Sequence, residues 1–245
     1  MDASKTSFMK TLSVLHLASF SGNIGDSANH MGFRPWFESL TGKSVEWHDL
    51  EIREFYWKDR EFNADFVALA NTYDLLIIGG GNYFELWVEN SPTGTSIAIE
   101  PSLFSDIDVP VYFNALGVDP GQGVPYQSRK RFKAFLDQLL ASEQYLVSVR
   151  NDGALDALQT HLGNKYAQAV HHVPDGGFFT TIEDGKSKLI EDGYRYIGIS
   201  VANDMAEVRF AQFGEANQSQ AFASEFAKAI SLLGTEHSDL RFILF

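Results

Sequence analysis

At 245 residues the chain can hold one large domain or two smaller ones, and its net charge of −13 argues against nucleic acid or an anionic membrane as partner. Apolar residues make up 44% and charged residues 21%, so a substantial core is available. There is no cysteine, which removes disulfides, cysteine nucleophiles and thiolate metal sites together.

Lys5 and Lys10 precede a short apolar run broken by His16. No small-residue cleavage site follows, so no signal peptide is expected. Nothing approaches a membrane span of ~20 apolar residues. A cytoplasmic location is expected.

The first strand is expected over Thr11 to Ala18. The stretch Ser21-Gly22-Asn23-Ile24-Gly25-Asp26-Ser27-Ala28-Asn29 follows it and runs into an expected helix, Ala28 to Leu40. A glycine-bearing loop between a strand and a helix presents backbone N–H groups to an anion or a sugar phosphate. Gly22 and Gly25 let a ligand approach the main chain. Asp26 or Ser27 is placed to cap the helix. Alternatively, Asn23 and Asp26 face a ligand at the strand's carboxyl end. Neither G-x-G-x-x-G nor G-x-x-x-x-G-K-[ST] is present, so no dinucleotide or P-loop site is indicated.

Gly42 ends the helix, and Ser44 to His48 is a short strand. Phe55, Tyr56 and Trp57 sit among charges over Glu51 to Arg60 and are read as rings packed on the core. Phe62 to Tyr73 has helical spacing. Asp74 to Ile78 is apolar at consecutive positions, as in a parallel strand covered on both faces. It runs into Gly79-Gly80-Gly81-Asn82, which is either a tight turn or a second ligand-facing loop. A helix is expected within Thr95 to Phe104, and a strand over Val109 to Leu116 ends at Gly117. Arg129 to Ala141 is an amphipathic helix with a solvated basic face. Tyr145 to Val149 is a strand ending in Arg150, which is placed to meet a carboxylate or phosphate, or to pair with Asp152 or Asp156. Asp152 is expected to cap a helix through Leu162. Ala169 to Val173 is a strand, and His171 and His172 point to opposite faces, a poor spacing for one metal. No metal site and no cofactor are expected.

Thr180 to Tyr194 is polar and reads as a linker. Arg195 to Val201 is a strand, Ser219 to Leu233 a helix, and Leu240 to Phe245 a strand. The expected organisation is an N-terminal Rossmann-like domain over 1–180, a linker over 181–194 and an incomplete second domain over 195–245. A buried parallel strand at the chain's end suggests the front part of a longer protein.

These pieces resemble the polysaccharide pyruvyl transferases. Ser21-Gly22-Asn23-Ile24-Gly25-Asp26 is similar to that family's Gly-Asn-x-Gly-Asp signature. Leu76 to Asn82 resembles its second glycine loop, and Asn114-Ala115-Leu116-Gly117-Val118 its strand ending in a Leu-Gly turn. Val147-Ser148-Val149-Arg150-Asn151 resembles its S-x-R-[DN] segment. Pro174-Asp175 resembles its Asp-Pro turn in reversed order, and Ile197 to Asn203 the strand opening its second domain. The likeness covers nearly the whole chain. It implies an α/β fold with two Rossmann-like domains facing across a cleft, as in glycosyltransferases of the B type (GT-B-like). It implies transfer of a pyruvyl group from phosphoenolpyruvate, as a small-molecule donor, to a saccharide acceptor as a cyclic ketal. Asp26 is then expected to orient a sugar hydroxyl as a catalytic group. Asn23, Gly25, Gly80, Gly81, Asn82, Gly117 and Arg150 are expected to bind substrate. The family's donor-site histidine and basic residues lie in the second domain beyond this chain, so the fragment by itself is not expected to turn over. A glycosyltransferase using a nucleotide sugar and a non-catalytic carbohydrate-binding relative are the alternatives.

Overall fold

The computed structural model describes residues 11–21, 23–182, 189–200 and 218–244. Gly22, linker residues 183–188, Val201 to Asn203 and Phe245 lie outside them. The chain divides into two units, Met1–Thr181 and Ile182–Phe245.

In the first unit one sheet carries β1 (Leu12–Ala18), β2 (Val45–Glu51), β3 (Leu75–Gly79), β5 (Val111–Leu116), β7 (Tyr145–Arg150) and β8 (His171–Val173). Their order is β2-β1-β3-β5-β7-β8, and every pairing is parallel. This is a Rossmann-like α/β domain. The order reverses between β1 and β3, because β2 lies on one side of β1 and β3 on the other. In an open parallel sheet that reversal opens a crevice at the strands' carboxyl ends. Two further pieces, β4 (Phe84–Glu85) and β6 (Val118–Asp119), pair with each other outside the main sheet.

Alternation along the strands divides the core into two layers. Leu15, Leu17, Leu76, Ile78 and Phe113 face one layer, together with Phe132, Phe135, Leu136 and Leu139 of α5 (Tyr126–Leu140). Val14 and Ile77 face the other, against Phe33 of α1 (Ile24–Thr41). Leu76, Ile77 and Ile78 are all buried, as the run of consecutive apolar residues predicts.

Helix α1 starts at Ile24, four residues before the expected start at Ala28. The reason is the cap: the Asn23 side chain accepts from the Gly25 N–H at 2.9 Å. Asp26 therefore lies inside the first turn, where its charge suits the helix dipole, and neither it nor Ser27 is the cap. Gly42 ends the helix in the left-handed conformation, as expected. Short helices α2 (Arg53–Tyr56) and α3 (Ala64–Ala70) follow β2. Of Thr95 to Phe104 only α4 (Pro101–Phe104) is helical. The hydroxyls of Thr93 and Thr95 bond the main chain up to Ile97 and hold that stretch as a loop. Helices α6 (Ala154–His161) and α7 (Asn164–Ala169) precede β8, so Ala169 closes a helix and the strand starts two residues later.

The pairing of β5 with β7 shifts register between Phe113 and Leu116. There Ala115 takes φ 47°, a left-handed conformation unusual outside glycine. Its N–H donates to the Ser148 hydroxyl at 2.8 Å, and that hydroxyl donates to the Phe113 carbonyl at 2.9 Å. Ser148→Ala leaves the buried Ala115 N–H without this partner, so a loss of about 1–3 kcal/mol is expected. Urea unfolding of the two proteins checks it.

The second unit carries β9 (Arg195–Ile199), α8 (Gln218–Glu236) and β10 (Leu240–Leu244). The two strands pair in parallel from Arg195–Leu240 to Ile199–Leu244. Among the described residues no helix is long and apolar enough to cross a membrane.

Candidate functional site

All the segments leaving the carboxyl ends of β1, β3, β5, β7 and β8 gather at one edge of the first unit. Hydrogen bonds tie the segment after β1 to that after β3, the segment after β3 to that after β5, and the segment after β7 to that after β8. The Ser19 N–H after β1 donates to the Tyr83 hydroxyl at 2.8 Å. Gly117 N–H donates to the Gly81 carbonyl at 3.0 Å, and Phe84 N–H returns to the Gly117 carbonyl at 3.1 Å. Asn82 Nδ2 donates to Asp119 Oδ2 at 2.9 Å. Asp175 N–H after β8 donates to Asn151 Oδ1 after β7 at 3.2 Å. Glycine is required where these segments touch. A Cβ on Gly117 would meet Asn82 Oδ1, and Arg150 Nη2 at 2.8 Å. A Cβ on Gly81 would meet the Tyr83 ring.

Six of the eight expected site residues fall into two groups along this edge, and the other two, Gly80 and Gly81, lie directly after β3. Asn23, Gly25 and Asp26 open α1 beside the end of β2. Asp26 Oδ2 pairs with Arg53 Nη2 at 3.2 Å. Glu51 fastens the loop after β1: its Oε2 accepts from Phe20 N–H at 2.9 Å and Ser21 N–H at 3.2 Å. Burial alone would raise the Glu51 carboxyl, but the N–H bonds from Phe20, Arg53 and Ser21 outweigh it and lower the pKa.

Asn82, Gly117 and Arg150 form the second group. Arg150 pairs through Nε with Asp152, and its Nη1 lies 3.6 Å from Asp175. Of the two partners expected for it, Asp152 takes the role. Asp152 also accepts from the Ala154 N–H at 3.1 Å, at the start of α6. A hollow of about 490 Å³ is lined here by Asn82, Asp119, Arg150, Asp152, Asp156 and Thr160. Arg150 is thus matched by several carboxylates. Such a lining offers mainly hydrogen-bond acceptors, which suit hydroxyl groups better than phosphate.

Glu85 was not legible as a site residue. It stands opposite Asp119 in the β4–β6 ladder, and the Ser96 hydroxyl donates to its Oε2. Burial, and next the Asp119 charge, raise its pKa from 4.5 to about 7. Such a carboxyl carries a transferable proton at neutral pH. Burial likewise pushes up the neighbouring Tyr56 phenol, with Tyr83 and Glu85 adding to the effect, so that phenol stays protonated. The one sequence signal was a lone carboxylate inside the apolar run Tyr83-Phe84-Glu85-Leu86-Trp87.

Two histidines lie on the α1 side of the crevice. His16 is fully buried; its Nδ1 accepts from Arg34 at 3.1 Å, and its Nε2 lies 3.4 Å from the Gly79 carbonyl. Burial, the neighbouring His30 and Arg34 hold it neutral. Arg34 in turn pairs with Asp49. Among the described residues no group of three or more His, Asp or Glu is arranged to hold a metal ion.

Comparison of the chain with protein-family models, with curated proteins and with solved structures gave no match.

Proposed function

We propose that this chain carries the acceptor half of a pyruvyl transferase acting on a polysaccharide. One observation carries the reading. The stretches that resemble the family's motifs in the first unit lie at the carboxyl ends of β1, β3, β5, β7 and β8, at one edge of one sheet. The second unit, with β9, α8 and β10, is read as the opening of a second Rossmann-like domain. The donor is phosphoenolpyruvate and the acceptor a sugar diol, handled in the cytoplasm.

In this scheme Glu85 gives its proton to the methylene carbon of the enol, which becomes a methyl group. An oxocarbenium-like centre forms at the neighbouring carbon. One sugar hydroxyl adds there, inorganic phosphate leaves, and the second hydroxyl closes the ketal. Of the two hydroxyl protons, one restores Glu85 and the other departs with phosphate. Asp26 orients a hydroxyl. Arg150 and the N–H groups of the Asn23 and Gly80 loops bind substrate.

The test is a donor comparison on the native gene product with a saccharide acceptor. Phosphate release from phosphoenolpyruvate is expected. Release of a nucleoside diphosphate from a nucleotide sugar would replace this reading with glycosyl transfer. Glycan binding without turnover of any donor would replace it with a binding protein.

A further inference from the structure

A cavity of about 80 Å³ lies on the α1 side of the sheet in the first unit. It is lined by Phe33 and Trp36 of α1, Tyr112 and Asn114 of β5, Pro174 after β8, and Phe179 of the 3₁₀ turn Gly176–Phe179. It shares no lining residue with the hollow at Arg150. Four rings follow one another along its wall. Between centroids, Phe179 lies 6.2 Å from Trp36, Trp36 6.4 Å from Phe33, and Phe33 6.3 Å from Tyr112. Phe33 is buried, whereas Trp36 is 42% and Phe179 46% exposed, so the cavity opens on their side.

One carboxamide enters this apolar wall. Strand alternation turns Tyr112 and Asn114 to the α1 side and Phe113 to the other. The Tyr112 hydroxyl is already engaged, 3.1 Å from Ser148 Oγ. Asn114 is 3% exposed, and among the described residues no group hydrogen-bonds its carboxamide. Native proteins seldom leave a buried carboxamide without a partner. Its main chain is held in place, since the Asn114 carbonyl accepts from Gly80 N–H at 2.9 Å. Size and chemistry then select the ligand. No lining residue is charged, so a carboxylate or phosphate would be buried here without a counter-charge. Whole small-molecule ligands occupy roughly 300 Å³ or more, so this cavity takes one substituent and not a sugar ring. A water needs about 10–15 Å³, so several non-hydrogen atoms fit. A methyl group alone would suit the rings and leave Asn114 unpaired. A methyl-bearing amide suits both: its N–H and C=O match the acceptor and donors of the carboxamide, and its methyl group lies against the rings.

We infer that this cavity receives the acetamido group of an N-acetylated sugar, with Asn114 on the amide and Phe33, Trp36 and Phe179 around the methyl group. This rests on the proposed reading only in taking the acceptor to be a saccharide, and it narrows that acceptor to one carrying an N-acetylhexosamine unit.

The test titrates the native gene product, followed by saturation-transfer NMR, with the methyl glycosides of N-acetylglucosamine, N-acetylgalactosamine and N-acetylmannosamine, each beside the parent hexoside. At least one acetamido sugar is expected to bind about tenfold or more tightly than its parent, the sum of one buried methyl group and about one net hydrogen bond. Its acetamido methyl protons are expected to take up the strongest saturation. Asn114→Ala and Phe179→Ala are each expected to remove most of the preference. Phe179 is half-exposed, so its variant carries the test if Asn114→Ala does not fold. Equal affinity for every acetamido sugar and its parent, binding of none of them, or a preference that survives Phe179→Ala overturns the inference. Pyruvyl transfer from phosphoenolpyruvate without any acetamido preference overturns the inference and keeps the transferase reading. An acetamido preference without phosphate release keeps the inference and removes that reading.

Discussion

Glu85→Gln is expected to lower phosphate release from phosphoenolpyruvate by about 10²–10⁴-fold, with much smaller changes in KM for donor and acceptor. Glutamine keeps the shape of the side chain and its contact with Ser96 but has no proton of suitable acidity. Glu85→Asp is expected to retain part of the rate. The pH profile follows from the raised pKa of about 7. The acid must be protonated to act, so wild-type activity falls as pH rises through that value. Stability carries the same sign. In the native state Glu85 holds its proton up to about 7, and in the unfolded chain only to about 4.5. Its contribution is therefore fully present below the unfolded value and is lost as pH rises through the native one. Unfolding titrations across this window are expected to show that slope in the wild type and a flatter one in Glu85→Gln. An unchanged rate in the variant removes Glu85 from the mechanism.

Gly80→Ala is expected to destabilise the first unit by two separable causes. Gly80 has φ +86°, and its new Cβ would lie 2.5 Å from Asn29 Oδ1. The left-handed backbone costs about 1–2 kcal/mol for an L side chain, and overpacking costs about 1–3 kcal/mol more. The two causes separate in a double variant. Adding Asn29→Ala removes the carboxamide that the methyl group strikes, so the overpacking cost is recovered while the backbone cost remains. Denaturant midpoints of the single and double variants measure both. Equal stability of Gly80→Ala and the wild type would contradict the packing described here.

Much of the first unit can be read directly from its residues. The run Leu75 to Ile78 is apolar at every position and ends in three glycines, and those two signals mark a central parallel strand and its loop. Gly42 marked the end of α1 because few other residues adopt the left-handed conformation. The start of α1 was misplaced because Asn23, Asp26 and Ser27 are all cap-forming residues, and only the hydrogen bond to Gly25 distinguishes them. The loop-borne members of the site were legible through glycine, asparagine and arginine at strand ends. Glu85 was not, because its raised pKa comes first from burial and next from Asp119, 34 positions later in the chain and brought alongside by a two-residue ladder.

Mass spectrometry of the acceptor after incubation with phosphoenolpyruvate and the native gene product is the most direct measurement of the central claim. The account predicts an acceptor heavier by one pyruvate less one water, with the added group resistant to mild base and released by acid, as a ketal is. An acceptor of unchanged mass, or one heavier by a hexose when a nucleotide sugar is supplied instead, would contradict it.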